Sequence, residues 1–306
     1  MAGVSGPRLT AAVANAGALG ILPIWDAPVE TAIAKIKKTQ SLTDKPFAVN
    51  LRADGVQTQH ILAAIDAGIS ILHFFWGNPS ASMHVVKDKH IKMIVTVEDR
   101  TSALAALDAG ASALIVQGIE AGGHSRSNTP IKQLLVSLSD IAGDIPIIAA
   151  GGCADGHDAK QLLNLGATGI LFGTRFILSI ESEAHKDYKQ ALIDAGDDDT
   201  VKSLCFDGLW SNAPHRTLSN STYKAWDKAG RPARGNRPGE GDVVMHTPDG
   251  HSLPRYLVVP PQEGMTGDLR AAAMYAGMGV GRIFDCSTVK NIILQITNDL
   301  KKEKDK

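Results

Sequence analysis

The chain has 306 residues, of which 44% are hydrophobic and 21% charged, and its 31 basic residues nearly balance its 32 acidic ones. This length can bury a large core, and the balanced charge gives no electrostatic attraction for nucleic acid or an anionic membrane. The three cysteines, Cys153, Cys205 and Cys286, are spaced for neither a zinc site nor a disulfide framework. The apolar run 9–25 is broken by Asn15 and two glycines and has no basic leader. We therefore expect a cytoplasmic protein with no metal site, no nucleic-acid partner and no membrane span.

Short apolar runs alternate with amphipathic stretches through the first two thirds of the chain. Seven runs are typical of strands: GALGIL, PFAVNL, ISILHFF, IKMIVTV, SALIVQ, IPIIAAGG and TGILFGT. Between them lie helix-like stretches such as PVETAIAKIKKTQ, TQHILAAIDAG, DRTSALAALDAG and GHDAKQLLNLGA. Such alternation predicts a parallel sheet buried on both faces, and a doubly wound open sheet and a (β/α)8 TIM barrel both fit. Regular spacing without a long crossover favours the barrel.

Only seven strand runs are visible, although a full barrel of this class has eight. The chain begins with MAGVSGPRLTAAVANAG, which reads as a loop with Pro7 near the start of a helix. We therefore predict a TIM barrel that lacks its first strand, with the chain beginning one strand late.

The composition and periodicity of the sequence change after Gly196. Residues 197–266 are rich in Gly, Pro, Arg and Asn and show little periodicity, which indicates a long irregular insertion or flap. The next stretch, GMTGDLRAAAMYAGMGVGRI, looks helical at first and then rich in glycine. We interpret 1–196 and 267–306 as the barrel domain and 197–266 as an insertion on it.

Unusual residues follow the predicted strands, at the end of a barrel where catalytic groups lie. Asn50 ends FAVN, and Gln117 and the glycine-lined His124 follow LIV. Two glycine-containing pairs, Gly151-Gly152 and Gly173-Thr174, follow IIAA and ILF. Their amides can converge on a phosphate, although tight turns also explain each pair. His124 can be an acid/base group or a core histidine, and Arg175 can neutralise phosphate or form a salt bridge.

Several motifs in this order resemble the FMN-dependent nitronate monooxygenase family, formerly the 2-nitropropane dioxygenases. They include MAGVSGPRLTAAVANAGALGIL, FAVNL, VQGIEAGGH, PIIAAGGCADG, GATGILFGTRF and YAGMGVG. A near cousin, the flavin-dependent enoyl-acyl-carrier-protein reductases, shares the EAGGH, AAGG and GTRF set. The resemblance covers nearly the whole chain and implies a TIM barrel with non-covalently bound FMN.

The resemblance also implies roles for individual residues. His124 would be the catalytic residue beside flavin and substrate. FMN would be bound by residues of five segments: Met1 and Gly3; Asn50; Gln117, Gly122 and Gly123; Gly151 and Gly152; and Gly173 and Thr174. On sequence alone, Glu120 can orient His124, accept from backbone amides of its own turn or point to solvent, and we expect a structural role.

The implied reaction is the oxidation of an alkyl nitronate by O2 to a carbonyl compound and nitrite. Two alternatives stay open: NAD(P)H-dependent reduction of a quinone or enoyl thioester by the same flavin, and a truncated, non-catalytic relative. A homodimer is compatible with each of them.

Overall fold

A computed structural model describes residues 1–55, 57–86 and 89–302. Its main sheet has seven parallel strands: β1 (Ile21–Pro23), β2 (Ala48–Arg52), β3 (Ile71–Phe75), β4 (Lys92–Val97), β5 (Ala113–Gln117), β7 (Ile147–Ala150) and β8 (Gly169–Leu171). These neighbours pair in chain order, so β1 and β8 form the two edges. All seven predicted strands are confirmed.

Helices connect these strands and cover the outside of the sheet. They are α1 (Pro7–Asn15), α2 (Val29–Gln40), α3 (Thr58–Asp66), α4 (Ser80–Val86), α5 (Arg100–Asp108), α6 (Ile131–Ala142), α7 (Gly156–Asn164), α8 (Thr174–Ile177), α9 (Lys186–Ile193) and α11 (Val289–Lys302). Local sequence sets several of their starts. Pro7 occupies the first turn of α1, and a reciprocal capping box of Asp99 and Ser102 begins α5. The long C-terminal helix α11 packs on α7.

Side-chain alternation separates an outer core from an inner one. Outward-facing residues of the strands pack on the helices in two large apolar clusters. Inward-facing side chains from β3 to β8 meet in one further cluster: Ile71, Ile94, Ala113, Ile115, Ile148, Ala150 and Leu171. Because residues of β3 and of the edge strand β8 share this cluster, the sheet curls around it. The predicted TIM-barrel class is confirmed.

The segment without sequence periodicity is built from short elements. It contains β9 (Thr200–Ser203), β10 (His215–Leu218), α10 (Ser221–Lys228), β11 (Val243–His246) and β12 (Ser252–Pro254). Strand β10 lies between β9 and β6 (Gly123–His124), and β11 lies between β12 and β13 (Thr266–Gly267). The segment is thus hydrogen-bonded to the loop after β5, and its second small sheet crosses the predicted boundary at residue 266.

The helix expected after residue 264 does not form, and that expectation was wrong. The helical elements of the described stretch are two short 3-10 turns, Leu269–Ala271 and Val280–Arg282. Between them the backbone runs beside β10: Leu218 N donates to Met274 O at 2.8 Å, and Thr217 forms a bridge with Tyr275. Pairing with β10 requires an extended backbone, which overrides the helical propensity of the alanines.

Candidate active site

His124 lies in a two-residue strand that the later part of the chain holds in place. β6 pairs antiparallel with β10, with His124 opposite His215 and Gly123 opposite Arg216. Ser125 N also donates to Pro214 O at 3.0 Å. The Arg216 guanidinium donates to Ile119 O at 2.9 Å, which ties the preceding turn to the same strand. The 197–266 segment therefore fixes the backbone that carries His124.

The His124 imidazole is enclosed by aromatic rings. Its ring stacks on Trp210, with centroids 4.1 Å apart and planes 22° apart. His215, Tyr275 and Trp76 lie 5.2, 5.5 and 6.0 Å away between ring centroids. Within the described chain, Nε2 is buried and has no hydrogen-bond partner. Such an atom costs free energy unless a ligand or water satisfies it, which marks it as a ligand-facing group.

Burial also sets the protonation state of His124. Desolvation, followed by the nearby His215 and Arg52, lowers the pKa of the imidazole to about 3. The ring is therefore neutral near pH 7, with one nitrogen able to donate and the other to accept.

The glycines before His124 serve two different purposes. A Cβ on Gly122 would lie 2.6 Å from Ala276 C and Gly277 N, so here the chain's own backbone fills the space. Gly123 has φ +79° and open space where a side chain would project. The first glycine thus permits backbone packing, and the second leaves room at the site.

The glycines after β7 and β8 present bare amides at the same end of the sheet. Gly151 and Gly152 have φ of 128° and 71°, which only glycine adopts readily. In the described turns and loops, the amides of Gly151, Gly152 and Gly173 donate to no other backbone group. The Thr174 hydroxyl accepts from Gly277 N at 2.9 Å, so it keeps its own hydrogen to donate. These groups form a cradle of donors of the kind that binds phosphate.

Two arginines near the cradle differ in role. Arg175 is buried and donates at 2.9 Å to both Asp285 O and Asp285 Oδ1, so it forms the salt bridge rather than facing the glycines. Arg282, which the sequence did not single out, donates to Gly152 O at 2.9 Å and to Asp158 at 2.7 Å. It fixes the shape of the glycine turn through the backbone.

The remaining predicted FMN-binding residues lie inside the sheet, at the end of β5 or in the N-terminal loop. Asn50 is buried on β2, and Gln117 ends β5 with its Nε2 3.5 Å from His124 O. Met1 Sδ lies 3.9 Å from the Cβ position of Gly173, so the N-terminus reaches the glycine cradle. Gly3, with φ +80°, instead packs on the 260–262 segment.

Glu120 has the structural role that we expected. Its carboxylate accepts from Ile131 N, at 3.0 Å to the nearer oxygen, and so satisfies an amide at the start of α6. Its backbone oxygen accepts from Met278 N at 2.9 Å. The carboxylate thus supports the turn and does not orient the imidazole of His124.

An aromatic wall lies beside His124, and the sequence did not reveal it. Its four rings follow β1 and β3 or come from the 197–266 segment: Trp25, Phe75, Trp76 and Trp210. Arg52 stacks over Trp210 at 4.0 Å, and Arg126 lies over Trp76 at 4.2 Å. A cavity of about 400 Å³ opens beside Trp25 and Arg52. Aromatic residues directly after strands were the available signal, but the same pattern is typical of core.

The described residues contain no cluster of three or more His, Cys, Asp or Glu side chains able to bind a metal ion. Among their helices, none combines the length and apolar character needed to cross a membrane.

Comparison with known proteins places this geometry in a family. The family model for nitronate monooxygenase matches residues 1–64 and 53–299. A Rhodococcus jostii protein, (3aS,4S,5R,7aS)-5-hydroxy-7a-methyl-1-oxo-octahydro-1H-indene-4-carboxyl-CoA dehydrogenase, is 36% identical over 75% of this chain and 64% of its own length. A Pseudomonas aeruginosa nitronate monooxygenase is 32% identical over 63% of this chain and 68% of its own.

A solved structure resembles the whole fold. FabK from Thermotoga maritima matches with a TM-score of 0.83 and 28% identity over 100% of this chain and 92% of that one. The family match spans more than half of the chain, and it agrees with the order of the motifs and with the barrel. The chain belongs to the nitronate monooxygenase family.

Proposed function

We propose that this chain is an FMN-dependent oxidoreductase that oxidises alkyl nitronates with O2 to carbonyl compounds and nitrite. Family membership supports the coarser assignment, a flavin-dependent oxidoreductase. The observation that carries the finer proposal is His124, a buried and neutral imidazole whose Nε2 has no partner in the described chain.

The glycine cradle fits the phosphate of FMN. Gly151, Gly152, Gly173 and Thr174 would hold it through backbone amides and one hydroxyl, which need no positive side chain to bind an anion. Asn50, Gln117 and Gly123 would contact the isoalloxazine ring: Asn50 lies in β2, Gln117 ends β5, and Gly123 precedes His124 in β6. Gly122 would act indirectly by letting the 276–277 backbone pack behind the turn. Met1 would lie beside the phosphate, and Gly3 would shape the loop that places it there.

Bound FMN would supply the electron-accepting chemistry, and the protein would orient the substrate. A nitronate is an anion, and the cations of Arg52 and Arg126 lie on the rings around His124. The neutral imidazole can donate a hydrogen bond to a nitronate oxygen, or accept a proton from carbon if a neutral nitroalkane enters. The aromatic wall would exclude water from this contact.

A second function has a specific observation behind it. The Rhodococcus relative is named as a dehydrogenase of a carboxyl-CoA compound. The rival proposal is therefore an NAD(P)H-dependent flavin reductase of quinones or enoyl thioesters. A non-catalytic relative, the third alternative, would bind no flavin.

One experiment separates these functions. We would load the purified chain with FMN, add a nitronate in air and measure nitrite, comparing the wild type with His124→Asn. Loss of a positioned acid/base group is expected to lower nitrite formation about 10²- to 10⁴-fold. The matched control is His251→Asn, because the His251 side chain is 77% exposed on a turn. NAD(P)H oxidation under anaerobic conditions, without nitrite formation in air, would instead favour the reductase.

A further inference from the structure

Three polar side chains line the inside of the sheet on neighbouring strands. Asn50 pairs with His73 across β2 and β3, and Thr96 lies on β4. The flanking Leu72 and Phe74 of β3 point to the outer core, so His73 points inward. Asn50 and His73 are 6% and 7% exposed, which places two polar groups in a largely apolar interior. Burial of this kind requires hydrogen bonds.

The hydrogen bonds determine the orientation of the Asn50 side-chain amide. Asn50 Nδ2 lies 3.2 Å from His73 O and 3.1 Å from His73 Nδ1. A backbone carbonyl can only accept, so the group that faces it must be the NH2 of the amide. Its second hydrogen is then directed at Nδ1.

The same geometry fixes the tautomer of His73. Because Nδ1 accepts from Asn50, the ring hydrogen resides on Nε2, which donates to Thr96 Oγ1 at 2.8 Å. Desolvation lowers the pKa of His73 to about 3, with a smaller effect of the N-terminal amino group, so the ring stays neutral near pH 7. The network is therefore held in one arrangement.

The opposite end of the Asn50 amide is left without a partner. Asn50 Oδ1 makes no hydrogen bond to the described residues, yet it is not among the fully buried unpaired atoms. We propose that His73 is a positioning residue that turns the Asn50 amide so that its carbonyl oxygen, not its NH2, faces the flavin ring. This inference rests on the proposed function. The ring has an N–H donor when oxidised and a further one when reduced, so a fixed acceptor affects both binding and midpoint potential.

The matched variants His73→Leu and His73→Asn test this role, because leucine and asparagine have the same number and branching of side-chain heavy atoms. Asparagine keeps an acceptor near the position of Nδ1, and leucine removes it. With FMN itself as the probe, we expect His73→Leu to raise the Kd about 5- to 30-fold, the factor that one or two kcal/mol corresponds to. The midpoint potential of the bound flavin should shift in the same variant. His73→Asn should retain the wild-type Kd and potential.

Thermal unfolding of each variant accompanies the binding measurement. If His73→Leu does not fold, Asn50→Leu carries the test, since it removes the carbonyl oxygen that the proposal directs at the flavin and should weaken FMN binding similarly. Wild-type Kd and potential in the folded His73→Leu or Asn50→Leu variant would overturn the inference, as would equal losses in His73→Leu and His73→Asn. Failure of the wild type to bind FMN would overturn the proposed function as well.

Discussion

The strand ends of β7 and β8 and those of β1 and β3 carry different kinds of chemical groups. On the side of β7 and β8, glycine turns expose amides that have no backbone partner in the described turns and loops. On the side of β1 and β3, four aromatic rings and two arginines cover the strand ends. The first side offers directional donors for an anion, and the second offers flat surface with little hydrogen bonding. A ligand with a phosphate and a planar ring system matches such a pair of sides.

His124 lies where the two sides meet, and its neighbour His215 shows what a structural histidine looks like in the same place. His215 is buried directly opposite His124 and uses both nitrogens: Nδ1 lies 2.9 Å from Ala213 O, and Nε2 accepts from Phe206 N at 3.1 Å. His124 Nε2 has no partner in the described chain. The unsatisfied nitrogen, rather than the burial, distinguishes His124 from the structural His215.

Removing the aromatic side should have the largest effect on stability. Trp210 is buried and stacks on His124, so Trp210→Ala should lower the free energy of unfolding by about 3–5 kcal/mol. Water then reaches the imidazole, and the pKa of His124 should rise from about 3 toward its ordinary value. NMR titration of the ring measures this. Trp226→Ala, which removes a tryptophan of another cluster, is the control and should leave that pKa unchanged.

Adding a methyl group at Gly122 should have the next largest effect on stability. Gly122→Ala forces a Cβ into the 276–277 backbone and should cost about 1–3 kcal/mol in urea unfolding, with loss of FMN affinity. Gly196→Ala is the control, because its nearest contact is an ordinary 3.6 Å from Asp199 Oδ2. Equal stability of the two variants would contradict the backbone packing described for the turn.

The buried histidines should make the FMN-free protein sensitive to mild acid. Because the pKa values of His73 and His124 are lowered to about 3 in the fold, the unfolded chain binds more protons between pH 6.5 and 5. Stability is therefore present above pH 6.5 and falls as the pH drops, by about 1–2 kcal/mol per histidine over this window. Urea unfolding at several pH values checks this. His73→Asn should remove the part of this pH-dependent loss of stability that His73 contributes. An unchanged pH dependence would argue against a neutral, buried His73.

The smallest predicted effect concerns the support of the turn. Glu120→Gln keeps the shape of the side chain but removes the negative charge at the start of α6. Urea unfolding should show that the free energy of unfolding falls by about 0.3–1 kcal/mol. FMN affinity should stay near that of the wild type. A large loss of FMN binding would instead assign Glu120 to the cofactor site.

Local residue patterns explain which parts of the fold and of the candidate site could be predicted from the sequence. The glycine pairs, His124 and the seven strands follow from local patterns, because positive φ and alternating burial leave direct traces in residue type. His73 was assigned no role, although the alternation in ISILHFF places it on the same inner face as Asn50. Trp210 could not be placed, since its contact with His124 depends on how β10 pairs with β6. Long-range pairing of short strands has no periodic signal in the chain.

Titration of FMN into the 306-residue chain, followed by flavin fluorescence, is the direct test of whether this chain binds FMN at the glycine cradle. We expect saturable quenching with one FMN per chain, and weaker binding when Gly152→Val places a branched side chain at a φ of 71° in the cradle. Absence of quenching in the folded wild-type chain, or equal binding by the folded Gly152→Val variant, would contradict this expectation.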